Sequence, residues 1–220
     1  MAESTLATIS RNRAALYHWF ALAFMAPPDE AQVTSLQHGQ AHGLLKSLQA
    51  ADTSASAIEA MQRVLDLGSP EGVAASLQAA HARLFDGAGG YDAAPPYRSV
   101  YTSERGLMYQ QATADMERLL QHLQLGIVSA VSEPADHLSL QLEVMSELAL
   151  RHAAALESDA ESDAGALLAD QVDFLDGQLL NWVELFAQRL TEVDALGFHA
   201  GLAALLAVVL QQDRAYLTGE

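Results

Sequence analysis

Eight histidines and 28 acidic side chains carry most of the reactive chemistry this chain can offer. His38 and His42 stand four residues apart, the interval that lets two imidazoles share a metal on one helix face. Gly39 lies between them and Gly43 follows, which weakens a helix there and favours an incidental, exposed pair. Asp136-His137 has the residue types of an acid–base couple. Adjacent helical residues diverge by about 100°, however, so the two do not meet as a dyad, and at a helix start Asp136 has the simpler task of complementing the helix dipole. The Glu-x-x-His spacing of a helical di-iron site does not occur. With 0 cysteines, disulfides, thiolate catalysis, iron–sulfur ligation and Cys-zinc sites are excluded. Gly87, Gly89 and Gly90 do not make a dinucleotide loop, and neither a P-loop nor a G-x-S-x-G nucleophile elbow occurs. Two segments remain as candidate sites: Pro95 to Glu104, where Tyr97 and Tyr101 flank a proline loop, and the helix start at Glu133–His137.

The elements that position these residues read as helices throughout. Apolar residues recur at intervals of three and four, and Val, Ile and Thr are sparse beside Ala, Leu and Gln. A first helix is expected from about Thr5 to Met25, with Leu6, Ile9, Leu16, Phe20, Ala23 and Phe24 as its stripe and Pro27-Pro28 as its stop. Asp29 caps a short helix carrying Val33 and Leu36; another holds Leu44, Leu45 and Leu48; a third carries Ile58, Met61, Val64 and Leu65. Ser69-Pro70-Glu71 supplies an N-cap, a first-turn proline and a first-turn acid for the helix of Val73, Leu77, Ala80 and Leu84. The periodicity breaks from Asp86 to Arg98. It resumes with Met116, Leu119, Leu120 and Leu123, and again after Ser132-Glu133-Pro134 with Leu138, Leu142, Met145, Leu148 and His152. An acidic run at 157–163 reads as a solvated linker or hinge. Helices around Leu167–Leu175, through Leu179, Trp182, Val183, Phe186 and Leu190, and from about Ala195 to Leu217 complete an all-α chain of about nine or ten helices, expected as one bundle over residues 1–220.

The formal net charge is −17, from 11 basic and 28 acidic side chains, which argues against nucleic acid or an anionic membrane as partner. No segment reaches the length of a membrane span. The basic Ser10–Arg13 followed by the apolar run to Ala26 has the outline of an export signal, but His18 and the helical spacing mark a core helix, and the cytoplasm is the expected address.

Three blocks together resemble the TorD/DmsD/NarJ chaperones of molybdoenzyme maturation. Leu84-Phe85 followed by Pro96-Tyr97-Arg98-Ser99-Val100-Tyr101 and Glu104 is similar to the family's L-F…P-[YW]-x-S-[VL]-[YW] region. Glu133-Pro134-Ala135-Asp136-His137-Leu138 is similar to its E-P-x-D-H signature. Gly197-Phe198, Leu202-Ala203, Leu205 and Gln212-Asp213 resemble the last helix of TorD proteins in particular. One departure stands out: where the family often has His-Leu-x-Pro-Trp-x-x-x-Phe, this chain has Gln178-Leu179-Leu180-Asn181-Trp182 and Phe186, which keeps the apolar anchors and lacks the histidine and proline.

The resemblance implies a cytoplasmic, non-catalytic chaperone dedicated to one molybdoenzyme catalytic subunit of the TMAO/DMSO reductase type. Such a protein binds the apoenzyme or its twin-arginine signal peptide and assists cofactor insertion before export. The resemblance also implies at most weak contact with guanine nucleotide or the molybdenum cofactor, and a monomer or a domain-swapped dimer. A binder of that signal needs negative charge beside an apolar groove. Residues 129–176 hold eleven acids and one arginine, a net of −10. On this reading Glu104, Glu133 and Asp136 meet the arginines, Tyr97, Tyr101 and Trp182 line the groove beside Ser99, and His137 hydrogen-bonds backbone or titrates near neutrality. The alternative is a small metal protein or enzyme using His38 and His42 or His137.

Overall fold

In a computed structural model, described for residues 2–49, 52–127, 132–158 and 161–220, the chain forms eleven α-helices among the described residues. The one β-type contact recorded there is an isolated antiparallel bridge between Tyr97 and His137. The expected all-α class holds. The helices fall into two compact units, each drawn from separated stretches of sequence: Met1–Met25, Tyr97–Trp182 and Leu210–Glu220 in the first; Ala26–Pro96 and Val183–Val209 in the second.

In the first unit, α1 (Ala2–Met25) packs along α8 (Leu138–Glu157). The apolar stripe of α8 is buried as its spacing predicts, including Leu138, Leu142, Met145, Leu148 and His152. The inward stripe of α1 differs from the expected one. Ala7, Ser10, Ala14, Tyr17, Ala21 and Phe24 face the core with Phe20, while Leu6 is 42% exposed. Polar residues enter this stripe because partners await them inside. Ser10 Oγ lies 2.9 Å from His152 Nδ1, and Ser146 Oγ donates to the Ala14 carbonyl at 3.0 Å. The Arg13 guanidinium forms a two-pronged pair with Asp213, which also accepts from Tyr17 Oη at 2.6 Å. Hydrogen bonding and charge from Asp213 hold the Arg13 pKa above its ordinary value against burial, which opposes the charged form, and burial with the Asp213 charge pushes the Tyr17 phenol well up.

The rest of this unit comprises α6 (Arg98–Thr102), α7 (Gln111–His122), α9 (Glu161–Phe174) and a π-helical turn, Leu175–Leu179. Three boundaries depart from expectation. The aromatic segment taken as loop contains α6, and α8 begins at Leu138 rather than beside Pro134, because Asp136 and His137 are committed to capping. The acidic run is helical up to Glu157 and again from Glu161, and positions 159 and 160 of the expected linker lie outside the described residues.

In the second unit, Asp29 and Gln32 form a reciprocal capping box on α2 (Glu30–His38), as the Asp29 reading anticipates. Gly39 closes α2 where a Cβ would lie 2.9 Å from Ser35 Cα, and α3 (Gln40–Gln49) starts immediately after. α4 is Ala55–Leu65, and α5 is Pro70–Leu84, with Ser69 Oγ accepting from the Gly72 amide. The non-periodic stretch beyond α5 is fastened to α10 (Val183–Val193), whose Arg189 donates to the carbonyls of Ala93 and Tyr91. α11 (Phe198–Thr218) contributes its residues up to Val209 to this unit; there Gly201 stands so near α4 that a Cβ would lie 2.7 Å from the Ala57 carbonyl oxygen.

Candidate functional site

The two sequence blocks nominated as sites meet in the first unit. The bridge between Tyr97 and His137 brings the start of α6 against the start of α8, and the Arg98 amide donates to the Asp136 carbonyl at 3.1 Å. The Asp136 carboxylate is fully buried and used at both oxygens. Oδ2 accepts from the Ser99 amide at 2.8 Å, and Oδ1 from Thr113 Oγ1 at 2.7 Å. Asp136 therefore complements a helix start as anticipated, but that of α6 rather than α8. His137 caps α8 itself. Its Nδ1 accepts from the Ser139 amide at 3.1 Å, which places the proton of the neutral ring on Nε2.

Aromatic contacts extend the junction. The Tyr97 ring meets the His137 ring edge-to-face at 5.0 Å, and its hydroxyl donates to Glu133 at 2.6 Å. Tyr101 stacks on Trp182 with ring centroids 5.4 Å apart. The Trp182 indole N–H is shared between Gln141 Oε1 at 3.1 Å and the Gln178 carbonyl at 2.8 Å. The Gln178 side chain, where the family often has histidine, accepts from Arg98 at 2.8 Å. Burial draws the Arg98 guanidinium below its ordinary pKa, and the charges of Asp115 and Asp136 oppose that shift.

Of the eight nominated residues, Tyr97, Ser99, Asp136, His137 and Trp182 are buried, Tyr101 and Glu133 are half-buried, and Glu104 is exposed. The buried five join α6, α7, α8 and the π turn. Glu104 lines a shallow cleft of about 270 Å³ with Thr102, Arg105, Gln110 and Gln111. The histidine alternative finds no support in the geometry: His38 ends α2 and His42 lies in α3, so they share no helix face, and His137 is occupied as a cap. Among the described residues no three His, Asp or Glu side chains gather in metal-binding geometry.

A nucleotide's phosphates would need cations aimed at them. Arg13, Arg118, Arg151, Arg189 and Arg214 are each engaged with a carboxylate and Arg98 with Gln178.

One surface of this unit has no counterpart in the sequence reading. Ala21, Leu22 and Met25 of α1, Leu120 of α7, Leu125 and Ile127 beyond it, and Leu140 and Val144 of α8 line a groove of about 410 Å³. Leu22 is 49% exposed and Ile127 38% exposed. Glu143 and Glu147 stand at its edge, one helical turn apart. The available signal was Leu22, an apolar residue off the buried face of α1, together with the 140/143/144/147 spacing on α8.

Residues 48–188 match the family model described as nitrate reductase delta subunit. The chain is 32% identical to the chaperone protein TorD of Ferrimonas balearica over 216 residues, which covers 96% of this chain and 93% of that one. It is 27% identical to the chaperone protein TorD of Vibrio parahaemolyticus over 212 residues, covering 96% and 97%. It is also 29% identical to the TorD chaperone of Vibrio cholerae over 214 residues, covering 95% and 93%. With a family model matched over most of its length and relatives that match along nearly the whole chain, the protein belongs to the TorD/DmsD/NarJ family of molybdoenzyme chaperones.

Proposed function

We propose that this chaperone works in the cytoplasm on a molybdenum-cofactor reductase of the TMAO/DMSO reductase type. It binds the twin-arginine signal peptide and the apoenzyme and holds the client until the cofactor is inserted. The observation that carries this reading is the placement of acid in the first unit. Glu104 is exposed just beyond the end of α6, Glu133 is half-buried beside Tyr97, and the net charge over residues 129–176 is −10. Carboxylates that reach the surface pair with guanidinium groups in two-pronged geometry. Asp136, His137, Ser99, Tyr97 and Trp182 serve the same site from behind, by fixing α6 and the start of α8 between which these acids are carried.

Calorimetry with a synthetic twin-arginine signal peptide tests the reading. Wild-type protein should bind, more weakly as salt rises, because exposed charges are screened over about 8 Å at physiological ionic strength. Glu104→Gln with Glu133→Gln should weaken binding roughly tenfold, the equivalent of about 1.4 kcal/mol. No binding by the wild type overturns the signal-peptide reading.

A further inference from the structure

We infer that Gln178 is a positioning residue that, through Arg98 and Trp182, fixes α6 against the π turn and so sets the point from which the chain beyond α6 carries Glu104. Its consequence for peptide binding rests on the signal-peptide reading; its hold on α6 does not.

Two rungs join these elements. Arg98 and Tyr101 stand three apart on α6, while Gln178 of the π turn and Trp182 just past it stand four apart, intervals that place each pair on one face. Arg98 donates to Gln178 Oε1 at 2.8 Å, and the Tyr101 ring stacks on Trp182 at 5.4 Å. Gln178 acts on the second rung as well. In an α-helix its carbonyl would accept from the amide four residues on. Here the Leu180 amide reaches back to Leu175 at 2.9 Å, and the Trp182 amide turns to Leu179 at 3.2 Å. The Gln178 carbonyl accepts instead from the Trp182 indole N–H at 2.8 Å. One residue thus holds the cation of one rung by its side chain and the ring of the other by its backbone.

The chemistry of the side-chain acceptor matters, because Arg98 is half-buried and its guanidinium rests on this neutral group. The charges that act on Arg98 are committed elsewhere: Asp115 of α7 to Gln111 and Arg118, and Asp136 to Ser99 and Thr113. On the π turn Asp176 pairs with Arg214 of α11, and ahead of α8 His137 is held as a cap. An amide oxygen accepts from a guanidinium at any pH. An imidazole accepts only while neutral; protonated, it brings donors alone and a like charge. A histidine at position 178 therefore separates positioning from plain packing.

Three variants of the full chain are read in two ways: the Trp182 indole N–H resonance in nuclear magnetic resonance spectra, and fluorescence anisotropy of a labelled peptide of two arginines followed by a Leu/Ala run. Both are taken at pH 8 and pH 5.5, on either side of the ordinary imidazole pKa of about 6.5, against wild type at the same pH. Gln178→Leu, with no acceptor, should shift the indole resonance and weaken peptide binding about tenfold at both. Gln178→Glu, which keeps an acceptor, should hold the wild-type resonance and bind at least as tightly at both. Gln178→His should match wild type at pH 8 and approach Gln178→Leu at pH 5.5, reversibly and with unchanged circular dichroism. An indole resonance and an affinity unmoved in Gln178→Leu overturn the assignment. So does a ratio of Gln178→His to wild-type affinity that is the same at both pH values. If the wild type does not bind the peptide, the signal-peptide reading fails, and the indole resonance decides the positioning role by the same pattern.

Discussion

The Asp136 carboxylate, two residues ahead of α8, is hydrogen-bonded to the Ser99 amide in the first turn of α6 at 2.8 Å. With Thr113 Oγ1 on its other oxygen, this one side chain ties together three helices that are well separated in sequence. Truncation leaves two buried donors without an acceptor, each at a cost of about 1–3 kcal/mol. Asp136→Ala should therefore destabilise the protein by about 3 kcal/mol in urea unfolding. Asp136→Asn, which keeps one acceptor, should fall between the two.

Arg13 and Asp213 form the second such tie, across 200 positions of sequence. Both side chains are more than nine-tenths buried, so losing one partner strands the other's charge. Asp213→Ala should lower stability by about 3–5 kcal/mol. Replacing both residues together, as Arg13→Met with Asp213→Leu, should be less harmful than the sum of the single changes in a double-mutant cycle.

His199 makes the protein sensitive to acid. Its ring is 1% exposed among Phe85, Phe198 and His81, and both ring nitrogens lack hydrogen-bond partners. Burial pushes its pKa down to about 4, aided by His81 and Arg83 and opposed by Asp194. The unfolded chain takes up this proton near pH 6.5 and the folded chain only near 4, so stability is full above 6.5 and falls as the pH drops between those values. The loss from this group should approach about 3 kcal/mol at the acid end. His152, also held low by burial and by Arg13, adds in the same direction. Urea midpoints at pH 7.5 and 5 should diverge for the wild type and converge for His199→Leu.

Gly201 should resist enlargement. An added methyl would lie 2.7 Å from the Ala57 carbonyl and 2.9 Å from Met61 Cγ. Gly201→Ala should cost about 1–3 kcal/mol despite the better helix propensity of alanine, read as a lowered thermal midpoint.

Legibility from sequence tracked how local the cause was. The Asp29 box and the Ser69-Pro70 start lie within three or four residues and were readable. The buried stripe of α8 was readable because its interval repeats over 20 residues. The start of α8 was misplaced because Asp136 answers to Ser99 and Thr113, which no local pattern reveals. The α1 stripe was misread for the same reason: Ser10, Arg13 and Tyr17 look outward by polarity until His152 and Asp213 are seen opposite them. For the candidate site, the sequence picked out residues that meet in space but not their depth. A motif shows which side chains belong together and is silent on which of them reaches water.

The segmented make-up of the two units bears on how the protein is synthesised. The second unit lacks Val183–Val209 until late in translation, and the first lacks Leu210–Glu220 until later still. At about 5–20 residues per second, roughly 6–23 s separate the emergence of Pro96 from that of Val209. For that interval the apolar faces of α2 to α5 wait without the strand of chain that completes their core. The nascent chaperone thus passes through an incomplete state of its own, as the client it is proposed to hold does before its cofactor is inserted.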